Sequence, residues 1–254
     1  MGDIVITDPD GSDSLTATLT LASASAGSLS TGTFGASTSI YNAGTGVWAV
    51  SGTLADVNAA LAAVAFTPAA NWSQSTSIST RIRDAAGTGP ADGSITLNAT
   101  AVNDAPVATV PANIAVTEDA ASALTGISFS DPDSAPSSVT VTLSVGSGSL
   151  VGASGGGVVV GGSASALTLS GTVVNINTFI AGSNVTFTTA TNATGNVTLT
   201  VAVDDGGNTG SGGALTDTET VTLVVTAVND APTVTAPASI AFTEDTAGAV
   251  TGIS

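Results

Sequence analysis

The segment TAVNDAP at 100–106 returns unchanged at 226–232, 126 residues later, and this repeat constrains the fold more than any other feature of the chain. Self-similarity at a fixed offset means that one structural unit is built twice. Other stretches answer one another in the same order: ITDPDGSDSLTATLTL (6–21) and FSDPDSAPSSVTVTLSV (129–145), STRIRDAAG (79–87) and LTVAVDDGG (199–207). SGTLADVNAALAAVAFTPAAN (51–71) is matched by SGTVVNINTFIAGSNVTFTTATN (170–192), with two residues inserted before the phenylalanine. The phrase TED recurs at 117 and 243. These matches divide the chain into a first module at 1–102 that lacks its opening strand, a complete module at 103–228, and a linker plus a further opening strand at 229–254. The joints fall at NDAP, where Pro106 and Pro232 restrict the backbone and stiffen the link.

Each module is expected to be all-β. Short alternating runs rich in Val, Thr, Ile and Leu, separated by Gly, Asn and Asp, favour strands and turns. About seven strands per module suit an Ig-like sandwich, with clear candidates at 113–118, 138–144, 185–189, 196–203 and 217–227. Aromatics are only 4% of the chain, so the sandwich core must be slim. One segment breaks the strand pattern. Asp56-Val-Asn-Ala-Ala-Leu-Ala-Ala-Val, with Thr53 or Asp56 as N-cap, predicts a helical turn or two, and Asn175-Ile-Asn-Thr-Phe-Ile is its counterpart.

Charge narrows the function. Nineteen acids face two basic residues, Arg81 and Arg83, for a net charge of -17 with no His. Such a chain repels phosphate backbones and anionic lipid, which argues against nucleic-acid and membrane-surface partners. No apolar run approaches the roughly 20 residues of a membrane span. With no His, Cys or Lys, the usual bases and nucleophiles are missing, and no catalytic residue is expected. Trp48 and Trp72 are expected in the core or at its edge rather than on a sugar platform. Most of the acids sit inside the repeated motifs, at strand ends and linkers. Like charges gathered there need a counterweight, and calcium, which takes six to eight oxygens in flexible geometry, supplies one.

The stretch NDAPVATVPANIAVTEDAASALTGISFSDPDS (103–134) resembles the opening of a cadherin repeat, and TVAVDDGGN (200–208) followed by TVTLVVTAVNDAP (220–232) resembles its end. With FTPAAN (66–71) and GNTGSGGALTDT (207–218), the chain is most similar to the cadherin-like tandem repeats of large secreted bacterial surface proteins and adhesins. The resemblance implies tandem Ig-like or cadherin-like sandwiches, an extracellular or cell-surface location, and one calcium cluster per joint. At the joint between the modules it implies Asn103 and Asp104 with Asp131, Asp133 and Asp204. Beyond the second module it implies Asn229 and Asp230 with Glu118. Asp8, Asp10 and Asp84 are the corresponding acids of the first module, and Glu244 is the acid of the last strand. Asp119 and Asp205 are explained equally well as solvated surface charges. Cadherins carry a further acidic motif before the penultimate strand. TPAANWSQ and TTATNATG have no acid there, so one or two ions per joint are expected.

The opening strand that the first module lacks is the strand that 233–254 would form. The expectation is a calcium-stiffened structural protein in which the tail of one copy completes the first module of the next, giving a head-to-tail homopolymer. The alternatives are a segment of an adhesin stalk flanked by adjacent modules, and a glycan- or ice-binding adhesin module. No receptor is legible in the sequence.

Overall fold

The computed structural model describes residues 4–9, 14–207 and 209–254. It groups the chain into two compact units. The first holds Met1–Val107, Ser130–Val139 and Asp204–Asp217; the second holds Ala108–Phe129, Thr140–Val203 and Thr218–Ser254. The fold is all-β, as expected, with one helix in each repeat. No helix among the described residues is long and apolar enough to cross a membrane.

In the first unit, five antiparallel strands lie in the order Ile40–Asn42, Val47–Gly52, Leu15–Leu21, Thr76–Arg83, Gly93–Leu97. Side chains alternate across a strand, so a run such as LTATLTL puts every second residue on one face. Leu15, Ala17, Leu19 and Leu21 are accordingly buried, while Thr16, Thr18 and Thr20 line the other face. Gly27–Leu29 pairs with Phe66–Pro68 as a second layer. Between them the core gathers Leu19, Trp48, Val50, Val57, Leu61 and Ile78. Trp48 is fully enclosed, and its indole N–H donates to Ser30 O at 2.9 Å. Trp72 is partly exposed near the edge.

The second unit repeats this order and adds a strand. Its main sheet runs Asn113–Thr117, Thr216–Thr226, Val197–Asp204, Val139–Val145, Ala166–Gly171, Val159–Ser163. Asn113–Thr117 lies parallel to Thr222–Thr226. It has no counterpart strand among the described residues of the first unit. A second sheet places Val185–Thr188 between Ser122–Ala123 and Ser149–Gly152. Leu143, Leu150, Leu169, Phe187, Leu199 and Leu223 are buried between the layers.

The helices are longer than the one or two turns that the residue pattern predicts. Leu54–Ala63 spans 10 residues and Val173–Ala181 spans 9. Thr53 and Thr172 cap them, accepting from the backbone N–H of Asp56 at 3.2 Å and Asn175 at 3.3 Å. A threonine oxygen there satisfies one of the four N–H groups that a helix start leaves open. Val57, Ala60 and Leu61 in the first helix, and Ile176, Phe179 and Ile180 in the second, are the buried residues. Spacings of three and four residues bring each set onto one face.

Candidate metal centre

The acids of the Asp-x-Asp phrase reach their positions through the helices. Asn177 accepts from Phe129 N at 2.8 Å and donates to Phe129 O at 2.8 Å, which holds the strand that runs into Asp131 and Asp133. Asn58 does the same for Ile6 in the first repeat, at 2.8 and 3.0 Å, ahead of Asp8. An amide side chain is suited to this task because it carries a donor and an acceptor side by side. The sequence reading does not single out these asparagines, although VN-A and IN-T occupy matched places in the two helical segments. Asn177→Ala would leave both backbone groups of Phe129 without that partner. It is expected to cost about 1–3 kcal/mol of stability, read by urea denaturation.

Seven of the described residues of the first unit meet at the joint motif. Asp131 Oδ1 accepts from Asp133 N at 3.1 Å, and Asp133 Oδ2 accepts from Asp104 N at 3.0 Å. Thr209 donates to Asp133 O at 2.8 Å. Asn103 is buried, and its amide donates to Asp205 Oδ2 at 2.6 Å and to Gly213 O at 3.0 Å. Those bonds orient the remaining amide oxygen. Asn103 Oδ1, Asp131 Oδ2 and Asp133 Oδ1 are all buried, and no described residue donates to them. A buried acceptor without a donor costs free energy unless a cation or water meets it.

The electrostatics of the cluster point the same way. Burial raises the Asp131 carboxyl above its ordinary range, and the carboxylates of Asp133 and Asp205 beside it add to the effect. Asp205 is buried, which pushes its carboxyl up, but donors from Leu215 N, Gly207 N and the Asn103 amide outweigh burial and hold it low. The Leu215 and Gly207 bonds are both 2.8 Å. Asp205 is therefore a charged clasp that holds Asn103 and the 205–215 loop. Its burial removes the expectation that it is a solvated surface charge. Asp204 lies on the exposed side of the strand, where its Oδ1 accepts from Gly206 N at 2.7 Å. The alternation carries the signal: Leu199, Val201 and Val203 point inward, so the next inward position is 205, not 204.

A second cluster lies in the second unit. Ligand oxygens of Glu118, Asp119 and Asp230 fall within 4.8 Å of one another. Glu118 is 2% exposed; its Oε2 accepts from Val228 N at 2.9 Å, and no described residue donates to its buried Oε1. Asp119 and Asp230 are exposed. Asn229 and Glu244 are exposed residues of the 229–254 segment. In the first unit Asp8 and Asp84 line one small cavity. Asp84 accepts from the Thr88 hydroxyl and from Thr88 N, and these bonds lower its carboxyl below the ordinary range. Asp10 lies outside the described residues.

The donor set fits a hard divalent ion. Asn103, Glu118, Asp131 and Asp133 each present a buried oxygen that no described donor meets, from one amide and three carboxyl groups. Calcium accepts this mixture of carboxylate and amide oxygens.

No family model matches the chain, and no curated protein matches it. Among solved structures the chain is similar to the extracellular cadherin domains 1–5 of protocadherin gamma B2, at 14% identity and a TM-score of 0.35. That match covers 80% of this chain and 32% of the other, so the chain spans about a third of that protein fragment. It is also similar to the human desmocollin-1 ectodomain, at 10% identity, 83% and 35% coverage and a TM-score of 0.24. A third match is the N-terminal domain of a Streptococcus gordonii adhesin, at 12% identity, 88% and 54% coverage and a TM-score of 0.22.

Proposed function

We propose that this chain is a calcium-stiffened structural repeat protein of the cell surface or extracellular space, which assembles head-to-tail by lending its 233–254 segment to the first module of another copy. The observation that carries the calcium reading is the set of buried oxygens without donors, all on residues of the joint motifs. Asn103, Asp131 and Asp133 would hold one ion, with Asp104 beside them. Glu118, Asp119 and Asp230 would hold a second. Bound there, calcium supplies positive charge where the chain has almost none. The chain's own residues do the rest: Asp205 fixes the Asn103 amide, and Asn177 fixes the strand ahead of Asp131.

Calorimetric titration of the chelated protein with calcium tests this reading, with Asp131→Asn as the paired variant. Heat of binding is expected for the unaltered chain and is expected to shrink for the variant. Because burial, together with the carboxylates of Asp133 and Asp205 beside it, disfavours the charged form of Asp131, the variant is also expected to melt slightly higher than the parent in chelator. A titration without heat, together with identical responses of the two proteins, would remove calcium from the account.

A second reading is a stalk segment with adjacent modules in one longer chain. It is favoured by the second unit, which takes its opening strand Asn113–Thr117 from its own chain.

A further inference from the structure

The first unit has a slot shaped for a strand that the second unit already holds. In the second unit Asn113–Thr117 pairs with Thr222–Thr226 in the register Asn113↔Thr222, Ile114↔Leu223, Val116↔Val225. Under that strand Val221 is 2% exposed and Leu223 is 0% exposed. Their equivalents in the first unit, Ile95 and Leu97, are only partly covered. The edge strand there stops at Leu97, whereas its counterpart continues to Thr226. Residues 98–100 continue the run but belong to no strand among the described residues. An edge of this kind, with its apolar side chains half covered, is a template for an added strand.

Two adjoining cavities mark where such a strand would put its side chains. One is largely apolar, with Phe66, Pro68, Trp72, Leu97 and Ala99 among its lining residues. The other is the more polar of the two and includes Trp72, Thr100, Val102, Asp104 and Asp133. Trp72 borders both, and no described residue accepts from its buried indole N–H. In the second unit the inward side chains of the opening strand and the residue that follows it are Ile114, Val116 and Glu118, two apolar groups and then an acid.

We propose that this slot receives residues 239–244 of a second copy of the chain, with Ile240 and Phe242 in the apolar part and Glu244 in the polar part. This rests on the assembly reading above and names its contact. At the repeat offset the register becomes Ile240 beside Leu97, Phe242 beside Ala99 and Thr243 beside Thr100. Side-chain sizes fit that register. The second unit sets Val116 beside Val225; here the incoming residue is larger, Phe242, and its neighbour smaller, Ala99. Glu118 accepts from Val228 N, so Glu244 accepts from the equivalent Val102 N, and its second oxygen faces the Trp72 indole N–H. It also joins Asp104 as Glu118 joins Asp230.

The donor segment is exposed and already partly shaped. Phe242 is 82% and Ile240 37% exposed. Asp245 has φ 58, matching Asp119 at φ 56 in the turn after the second unit's own strand. Thr235 and Ser254 exchange two backbone hydrogen bonds, at 2.8 and 3.1 Å, and they stand at the repeat offset from Thr109 and Ser128, whose strands also pair. Ordering cost on binding is correspondingly reduced. Because the donor belongs to the second unit and the slot to the first, the contact joins two different surfaces and is heterologous.

Sedimentation of the full chain in calcium, alone and with a Phe242→Asp variant, tests the contact. Phe242 is mostly solvent-exposed, so the variant folds as the parent does. The parent is expected to form a ladder of oligomers. The variant is expected to associate at least roughly thirtyfold more weakly, since an apolar anchor is replaced by a charge. Added to the parent, it is expected to shorten the ladder, because its intact slot accepts a tail while its own tail cannot be passed on. A parent that stays monomeric would overturn the proposal and leave the slot to a preceding segment of a longer chain. Oligomers unaffected by the variant, either on its own or as an additive, would also overturn it, while leaving assembly through another surface. Calcium is read separately: a ladder unchanged by chelator removes calcium from the assembly and keeps the strand contact.

Discussion

Stripping calcium with a chelator is expected to lower the melting temperature by roughly 5–10 °C. A ligand present at about 100 times its dissociation constant stabilises a fold by about 2.7 kcal/mol. For a chain of this size each kcal/mol moves the midpoint by about 2–4 °C. The direction rests on the chemistry of the cluster. Asp131 is crowded by Asp133 and Asp205, and buried oxygens of Asn103, Asp131 and Asp133 lack donors among the described residues. Magnesium is expected to restore less than calcium, because it demands a near-ideal octahedron and gives up water reluctantly. Scanning calorimetry in calcium, in magnesium and in chelator makes the comparison. Coincident traces in calcium and chelator would mean that the clusters hold no ion of consequence.

Replacing Trp48 by alanine is expected to destabilise the protein by about 3–5 kcal/mol, the range for losing a large buried aromatic. Trp48 is fully enclosed among the buried residues of the first unit's core, in a chain with few aromatic side chains to share the work. Trp48→Phe separates packing from hydrogen bonding. It keeps most of the apolar volume but leaves Ser30 O without its donor, at a cost of about 1–3 kcal/mol. Urea denaturation followed by circular dichroism measures both. A loss below about 1 kcal/mol for the alanine variant would mean that the ring contributes little to the packing of this core.

Much of the strand layout is legible in the residue order alone. The expected segments 113–118, 138–144, 185–189, 196–203 and 217–227 lie within about a residue of Asn113–Thr117, Val139–Val145, Val185–Thr188, Val197–Asp204 and Thr216–Thr226. These are long or strongly alternating runs, and period-two burial writes itself into residue order. Short strands such as Ser122–Ala123 and Ser128–Ser130 carry too few residues for a period to show. Thr53, one of the two N-caps that the residue pattern offers, caps the first helix, but the pattern understates the length of both helices. Nothing local marks Asn58 and Asn177 as clamps, because their partners Ile6 and Phe129 lie 52 and 48 residues away.

The acids divide in the same way. The resemblance to cadherin repeats groups Asn103, Asp104, Asp131, Asp133 and Asp204, and the fold joins Asp104, Asp131 and Asp133 by hydrogen bonds within the first unit. Alignment sets Asp204 opposite Asp84, whereas the alternation of Leu199, Val201 and Val203 points to 205 as the next inward position. What each carboxylate holds belongs to tertiary structure. Which of two adjacent carboxylates loses its water depends on the return of the loop through Gly213 and Leu215, and on Asn103, about a hundred residues away in the chain. By itself, then, the sequence determined a doubled all-β module, its acidic joints and the scarcity of cationic side chains to balance them, because these follow from residue type and spacing. Only the fold decided which oxygens are buried without donors and which sheet edge is left half covered, because desolvation is a property of the packed chain and not of any segment of it.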